Sequence, residues 1–245
     1  NAQLAKTFNT PLAFGSWQQP VEHPDVDAVA IAAMPGLQPA IAIRAIELGK
    51  PVFAEKPRAA DLAGAKAMAL AADSSGRPTT VDFNFCEILA WRKAKALLEE
   101  GSIGRLRHVE VNWNVENYAT RMRLKNWKAH GANGGGALAN FVSHSFHYLE
   151  WMCGPIVGLS TRLSGLPDDP TMETNVALSL AFQSGAAGNL AMSCASYLGS
   201  GHRLEFYGED GTLMLVNATT DYMRGFVLSV ARRPAEVMTP VEVTD

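Results

Sequence analysis

The sequence predicts an α/β protein, with a partial parallel sheet first and then an α+β domain built on a large open, mixed or antiparallel sheet. In the first part, apolar strand-like runs at 27–33, 51–55 and 79–85 alternate with apolar helical segments at 39–49 and 62–76. Both helical segments close on a glycine, which is a common helix end. Alternation of nearly continuous apolar strands with helices favours a parallel sheet covered on both faces.

The second part has a different pattern, because its later strands are joined by turns. A helix predicted at 91–101 ends the first part, and the second part contains a longer helix, entered through three glycines, at 136–154. The strand-like runs begin RHVEVNW, NVALSLAF, AAGNLAMS, HRLEFYG and TLMLV. Strands linked by turns alone are typical of an antiparallel or mixed sheet. We therefore predict two domains, 1–103 and 104–245.

Composition argues against several classes of partner. The 245 residues are 47% apolar and carry a formal net charge of −3, without a basic run, so nucleic acid is not an expected partner. No apolar stretch approaches the roughly 18 residues that span a membrane, so no membrane partner is expected. Cys86, Cys153 and Cys194 form no close pair and no metal-ligand spacing. This favours a reducing compartment, and we expect a cytoplasmic protein without a bound metal.

The segment PVFAEKP ends a predicted buried strand in two opposite charges. In open parallel sheets, ligands bind beyond the carboxyl ends of the strands, where Glu55 and Lys56 lie, as does Pro35 after the preceding strand. A partly desolvated lysine is a usable proton donor or acceptor. The alternative is a solvated turn in which Lys-Pro simply ends the strand.

The helix after the glycines carries polar residues on an otherwise apolar surface. Asn140, His144 and His147 are spaced i, i+4 and i+7 and so share one helix face. Such a stripe needs partners or a cavity. The alternative is a pair of hydrogen-bonded core histidines; a metal site is disfavoured because no carboxylate or cysteine completes the set.

Several motifs follow one another in a fixed order: VDAVAIAAMP, AIRAIELGKPVFAEKP, LLEEGSIGRLRHVEVNW, GGGAL and LEFYGEDGTLML. With these motifs the chain resembles the Gfo/Idh/MocA family. The resemblance implies an NAD- or NADP-dependent oxidoreductase acting on a sugar, cyclitol or related alcohol. It also implies that 1–103 is an incomplete Rossmann-like domain and that 104–245 carries the substrate and oligomer contacts.

The resemblance also implies roles for individual residues. The family's EKP lysine, which contacts the reacting hydroxyl and the nicotinamide region, falls on Lys56. The family's helix after the glycines usually supplies an aspartate and, four residues on, a histidine, at the positions of Asn140 and His144. We therefore expect Lys56, His144 and Asn140 to be catalytic, Pro35, Glu55, Lys56 and Asn84 to bind the cofactor, and Trp127, Lys128, Tyr118, Asn112 and His147 to contact the substrate.

Three positions depart from the family pattern. Asn140 replaces the usual aspartate, His147 stands where an aspartate is common, and Pro39 stands where many members have a histidine. An amide in place of a carboxylate offers hydrogen bonds but no charge. These departures indicate a subfamily whose acid–base chemistry is altered or lost.

No G-x-G-x-x-G pyrophosphate loop occurs in the sequence. In the family this loop and the acidic ribose-binding residue precede the matching region, and a further helix and strand usually follow it. We therefore expect the chain to be part of a longer protein, truncated at both ends; the alternative is a natural short homologue. The choice between NAD and NADP stays open for the same reason. Three functions remain: a dehydrogenase, an NAD-dependent glycosidase of the same family, and a non-catalytic or structural homologue.

The absent loop leads to a prediction about cofactor affinity. We expect this 245-residue chain alone to bind NAD(H) or NADP(H) weakly or not at all, because the loop holds the pyrophosphate at a helix N-terminus. Titration followed by nicotinamide fluorescence measures this, and a low-micromolar dissociation constant would contradict it.

The strand pattern near residues 174–217 predicts self-association. Val176, Leu178 and Leu180 alternate with Ala177, Ser179 and Ala181. A sheet face this poor in charge needs a cover, so we expect one face to pack on the helix at 136–154 and the other to form a homo-oligomer contact. The alternative is that further C-terminal residues of the same chain, beyond this sequence, cover that face.

Overall fold

A computed structural model describes residues 2–124, 126–129, 131–166 and 169–244. They form two compact units, each described here by itself. The first unit is Asn1–Asp82 with Ala132–Gly134, and the second is Phe83–Gly131 with Gly135–Asp245. Among all the described residues, no helix is long and apolar enough to cross a membrane.

The first unit is built on a three-stranded parallel sheet in the order β1-β2-β3. The strands pair in register, Val29 with Val52 and Val52 with Thr79. Their bounds are Val29–Ile31 (β1), Val52–Ala54 (β2) and Thr79–Val81 (β3). The helices are Ala2–Thr7 (α1), Gln18–Glu22 (α2), Gln38–Glu47 (α3) and Leu62–Ser75 (α4).

Local sequence sets the ends of α4. The Asp61 carboxylate accepts the amide of Gly64 at 2.7 Å, which caps the first turn. At the other end Gly76 takes a φ of +63°, a conformation that favours glycine. The buried faces of α3 and the sheet meet in a core that includes Ile31, Ile41 and Val52.

The second unit is an eight-stranded mixed sheet in the order β11-β10-β9-β8-β4-β7-β6-β5. β4 pairs parallel to β7 and antiparallel to β8, and every other pairing in this sheet is antiparallel. The strands are Leu106–Asn114 (β4), Ile156–Leu166 (β5), Asp169–Phe182 (β6), Ala187–Ser193 (β7), Gly201–Gly208 (β8), Gly211–Asn217 (β9), Val227–Arg232 (β10) and Thr239–Pro240 (β11). The predicted fold class is confirmed.

One face of this sheet is covered by helices and the other is open. On β6 the residues Val176, Leu178 and Leu180 are buried, whereas the alternate residues are exposed, as the period-2 pattern predicts. The buried face shares a core with Trp91 and Leu149. The α-helices of the unit are Leu89–Glu99 (α5), Tyr118–Arg121 (α6) and Ser143–Cys153 (α7). Turns of 3₁₀ helix lie at Asn84–Glu87, Trp127–Ala129 and Gly131–Asn133, and a π-helix lies at Leu138–Val142.

The compact units divide between Asp82 and Phe83, whereas the sequence predicts a boundary between residues 103 and 104. The two boundaries differ in where they place α5, since the predicted domain 1–103 includes this helix with the parallel sheet. Trp91 and Ala94 of α5 are fully buried in the core of the second unit. A helix that follows a parallel strand is read from sequence as its crossover, but tertiary packing assigns it to the other sheet.

Strands β5, β10 and β11 were not predicted. β5 is exposed along most of its length, with Val157 65% and Leu159 55% accessible. A strand exposed on both faces has no need for apolar alternation, so its sequence lacks the pattern by which half-buried strands are recognised.

Candidate active site

In the first unit, the predicted site residues lie after the carboxyl ends of β1 and β2. Pro35 is buried in the turn that follows β1. Glu55 and Lys56 follow β2 directly and are half-buried, and the Glu55 amide donates to the Ile31 carbonyl at 2.9 Å, which continues the sheet pairing. Parallel strands end at one edge, so the structure brings these residues to a common edge.

Gln38, at the start of α3, contacts this strand edge and is not among the predicted site residues. Its side chain is 1% exposed, and its Nε2 donates to the Pro57 carbonyl at 3.1 Å, next to Lys56. Its Oε1 is buried without a hydrogen-bond partner among the atoms that the structure describes. The sequence signal for Gln38 is a polar amide at the start of an otherwise apolar helix.

By the family resemblance of the EKP motif, residues at this strand edge would hold the nicotinamide end of a dinucleotide. Gln38 donates to the loop that follows Lys56, and its Oε1 is a buried acceptor without a donor among the described atoms. This edge of the first unit can therefore accept one more hydrogen bond. Pro35, Glu55, Lys56 and Gln38 are the residues of this unit that would hold that end of the cofactor. Asn84 lies in the second unit, exposed, in a 3₁₀ turn.

In the second unit, the glycine turn leads into the helix that carries Asn140 and His144. Gly136 has a φ of +87°, and the amide of Leu138 donates to the Glu173 carboxylate at 3.0 Å. The buried Asn140 donates from Nδ2 to the Gly136 carbonyl at 2.9 Å. The segment Leu138–Val142 is a π-helix, a form that occurs mostly as short insertions and often at functional sites.

The two histidines of this helix lie against the same aromatic ring. His144 is 7% exposed and meets Phe83 edge-on, with ring centroids 5.5 Å apart. His147 stacks on Phe83 at 4.6 Å and leaves its other side exposed. Loss of water from the stacked side lowers the pKa of His147, against the opposing effect of Glu150. The structure thus brings His144 and His147 together but gives them different solvent access.

Cys86 lies beside the second of these histidines. Its Sγ is 3.5 Å from His147 Nδ1. Burial raises the pKa of Cys86 to about 11, so the side chain is a protonated thiol at neutral pH. The described residues, 2–124, 126–129, 131–166 and 169–244, contain no group of three His, Cys, Asp or Glu side chains placed to hold a metal ion.

The predicted substrate residues fall into two groups. Tyr118 is 63% exposed at the start of α6, and the Lys128 ammonium lies 5.6 Å from the ring centre of the half-buried Trp127. Asn112 belongs to β4, where its neighbours Val111 and Trp113 are buried against the helices. Because strand residues alternate, Asn112 lies on the open face of the sheet, opposite the face that carries His144. The structure does not bring Asn112 together with that histidine.

A buried polar network anchors the histidine helix to the sheet. The Tyr148 hydroxyl lies 2.7 Å from Ser145 Oγ and 3.1 Å from His202 Nε2. His202 is fully buried and stacks on Trp113, with centroids 4.1 Å apart and planes 5° from parallel. Burial, and secondarily the proximity of His144, holds the pKa of His202 well below its usual range. The His202 ring therefore stays neutral in the folded protein.

Comparison with protein families agrees with this architecture. Residues 1–83 match the model described as an oxidoreductase family with an NAD-binding Rossmann fold. Residues 91–214, half of the chain, match the model of the GFO/IDH/MocA C-terminal domain. The chain belongs to the Gfo/Idh/MocA family, as its motifs predict.

Two relatives are similar to most of this chain but extend well beyond it. An uncharacterized oxidoreductase of Synechocystis sp. is 31% identical over 237 residues, which cover 91% of this chain and 64% of the relative. The levoglucosan dehydrogenase of Pseudarthrobacter phenanthrenivorans is 29% identical over 69% of this chain and 44% of the relative. The chain thus spans less than two thirds of the length of these relatives.

Solved structures resemble the chain over nearly its whole length. A levoglucosan dehydrogenase in complex with NADH and levoglucosan has a TM-score of 0.88 and 25% identity, and the match covers 98% of this chain and 67% of that structure. An NAD-binding oxidoreductase from Klebsiella pneumoniae has a TM-score of 0.86 and 26% identity, again over 98% of this chain and over 66% of that structure.

Proposed function

We propose that the protein is an NAD- or NADP-dependent oxidoreductase that transfers hydride between the cofactor and a sugar, cyclitol or related alcohol. The observation that carries this proposal is a half-buried lysine, Lys56, at the carboxyl end of a parallel strand within the segment that matches an NAD-binding model. Relatives named levoglucosan dehydrogenase and D-xylose dehydrogenase support a sugar as substrate.

The cofactor, when bound, supplies hydride chemistry at nicotinamide C4. We assign the hydroxyl proton of the substrate to Lys56 and His144. Lys56 is half-buried at the strand end, and its ammonium can donate a proton to the substrate oxygen or, once deprotonated, accept one. Asn140 offers hydrogen bonds without charge. Trp127, Lys128, Tyr118 and His147 remain our candidates for substrate contact, and Asn112 has the weakest case because of its sheet face.

The test is a turnover assay on the whole protein with NAD or NADP and a panel that includes levoglucosan and D-xylose. Net formation of NADH or NADPH supports the proposal, and the faster cofactor decides between NAD and NADP. Cleavage of glycosides with a catalytic amount of NAD and no net NADH would favour the glycosidase of the same family. Neither reaction with any sugar, although the cofactor binds, would favour a non-catalytic homologue.

We also propose that the open face of the large sheet is a self-association surface in a cytoplasmic homo-oligomer. Ala177 and Ala191 face each other across β6 and β7, and both are exposed together with Ser179. Side chains this small let a second surface approach closely. Two polar side chains nearby are paired with each other, since Asn189 donates to Glu110 at 2.8 Å.

A charge on this face is expected to break the oligomer. Ala177→Glu combined with Ala191→Glu places four carboxylates at a twofold contact, and their repulsion should shift the sedimentation coefficient to that of a monomer. Gln183→Glu, in an exposed turn beyond β6, adds charge away from the face and should leave assembly unchanged. Wild-type protein that sediments as a monomer at all concentrations would contradict the proposal.

A further inference from the structure

We propose that Glu173 is the positioning residue of the site: its carboxylate holds the first turn of the helix that carries Asn140 and His144. This inference rests on the proposed function, because it assigns Glu173 a role in turnover. Glu173 lies 35 residues after Leu138 in sequence, on β6, and no local pattern marks it.

The carboxylate satisfies a backbone group that a helix leaves open. The first amides of a helix have no partner within it, and the N-terminal end carries partial positive charge. Glu173 Oε1 accepts the amide of Leu138, the first residue of the π-helix, at 3.0 Å. The cap thus comes from the sheet rather than from the residue that precedes the helix.

The backbone that carries Glu173 is fixed to the sheet. Thr174, the next residue, is fully buried, and its carbonyl accepts the Cys194 amide at 2.9 Å. Glu173 itself is paired with Gly165 of β5. The carboxylate therefore extends from a strand whose backbone is paired next to it on both sides, and a positioning group needs such support.

The glycine turn is shaped to this carboxylate. A Cβ at Gly136 would overlap the Glu173 carboxylate, and the φ of +87° independently favours glycine there. On the other side of the turn, the Gly136 carbonyl accepts Nδ2 of Asn140. Glu173 from the sheet and Asn140 from the helix thus fix the same turn, and His144 follows one helical turn later.

Glu150 provides a matched case at the other end of the helix. Its Oε1 accepts the Ile156 amide at 3.2 Å, so it too is a carboxylate bonded to a backbone amide. Glu150 lies beyond both histidines and cannot set the turn that precedes them. Comparing the two carboxylates separates positioning of the site from general support of the helix.

The first measurement is turnover of the whole protein on a sugar that the wild type oxidises. Misplacement by about 1 Å can cost roughly a hundredfold in rate, so we expect Glu173→Ala to lower kcat by about ten- to a hundredfold with little change in KM. Glu173→Gln should recover most of the loss, because its amide oxygen still accepts the Leu138 amide. Glu173→Asp, one methylene too short, should fall between them, and Glu150→Ala should match the wild type.

The second measurement does not depend on turnover. Amide hydrogen exchange at Leu138 should accelerate at least tenfold in Glu173→Ala and Glu173→Asp, and the ring resonances of His144 should shift, with neither change in Glu150→Ala. If the wild type turns over no sugar, the proposed function fails, while these two signals still decide whether Glu173 holds the turn.

Some outcomes would overturn the inference. One is wild-type kcat in Glu173→Asp together with unchanged Leu138 exchange; another is a loss of turnover in Glu150→Ala equal to that in Glu173→Ala. If Glu173→Ala does not fold, the Asp and Gln variants decide: equal kcat in the two rejects positioning, and a lower kcat in Glu173→Asp supports it.

Discussion

Lys56→Met is expected to lower kcat by about 10²- to 10⁴-fold on any sugar that the wild type turns over in the proposed assay, which is the usual contribution of general acid–base assistance. Methionine keeps much of the side-chain volume and removes the proton-carrying ammonium. Because Lys56 is half-buried at a strand end rather than in the core, thermal stability should change little. Steady-state kinetics with the cofactor saturating gives kcat directly.

The control is Lys66→Met, which makes the same chemical change at an exposed position of α4 and should leave kcat unchanged. His144→Asn should cost less than Lys56→Met if Lys56 is the main proton carrier. The double variant should lose less than the sum of the two free-energy changes if both residues act on one proton. Near-normal turnover in Lys56→Met would mean that the strand end is a solvated turn.

His202→Phe is expected to make the protein resist acid better than the wild type. His202 is fully buried and its pKa is held well below the usual range, so the folded state binds no proton there while the unfolded state does below about pH 6.5. The stability that this neutral ring contributes is therefore complete above pH 6.5 and is lost as the pH falls towards the folded pKa. The loss amounts to about 1.4 kcal/mol per pH unit for one proton.

Urea unfolding of the second unit at pH 8.0, 6.0 and 5.0 would measure this difference. At pH 8.0 the variant should differ modestly, since Phe preserves the stacking on Trp113 and the Tyr148 hydroxyl keeps Ser145 as a partner. By pH 5.0 the variant should have gained about 2 kcal/mol relative to the wild type. His108→Phe, on the open face and stacked on Tyr207, is the control. Parallel curves for wild type and His202→Phe would show that His202 takes up no proton on unfolding.

Much of the fold could be predicted because its signals are local. The parallel strands and the helices between them are each recognisable within about ten residues, and the period-2 burial of β6 is found where its sequence predicts it. The EKP strand end and the histidine helix were also found, since both combine an apolar pattern with polar residues at one end or on one face.

The features that were missed depend on partners distant in sequence. Glu173 meets the glycine turn only because β6 lies in the same unit, and Gln38 meets Pro57 only because α3 packs on the parallel sheet. The π-helix at Leu138–Val142 has the composition of an ordinary helix, so periodicity cannot reveal it. Asn112 lies on the sheet face opposite to His144, and the polarity of a strand residue does not reveal which face it occupies.

Because residue 140 is an asparagine, this position carries no ionisable group. Asn140 donates from Nδ2 to the Gly136 carbonyl, a bond that an ionised carboxylate cannot make because it has no proton to give. An amide does not titrate between pH 2 and 12, so this position holds the same charge in acid and in base. Whatever ionisation governs the pH–rate profile, no carboxyl at position 140 can take part in it. If Lys56 and His144 carry the proton, the profile should have no limb near the usual aspartate pKa of about 3.9 arising from this helix.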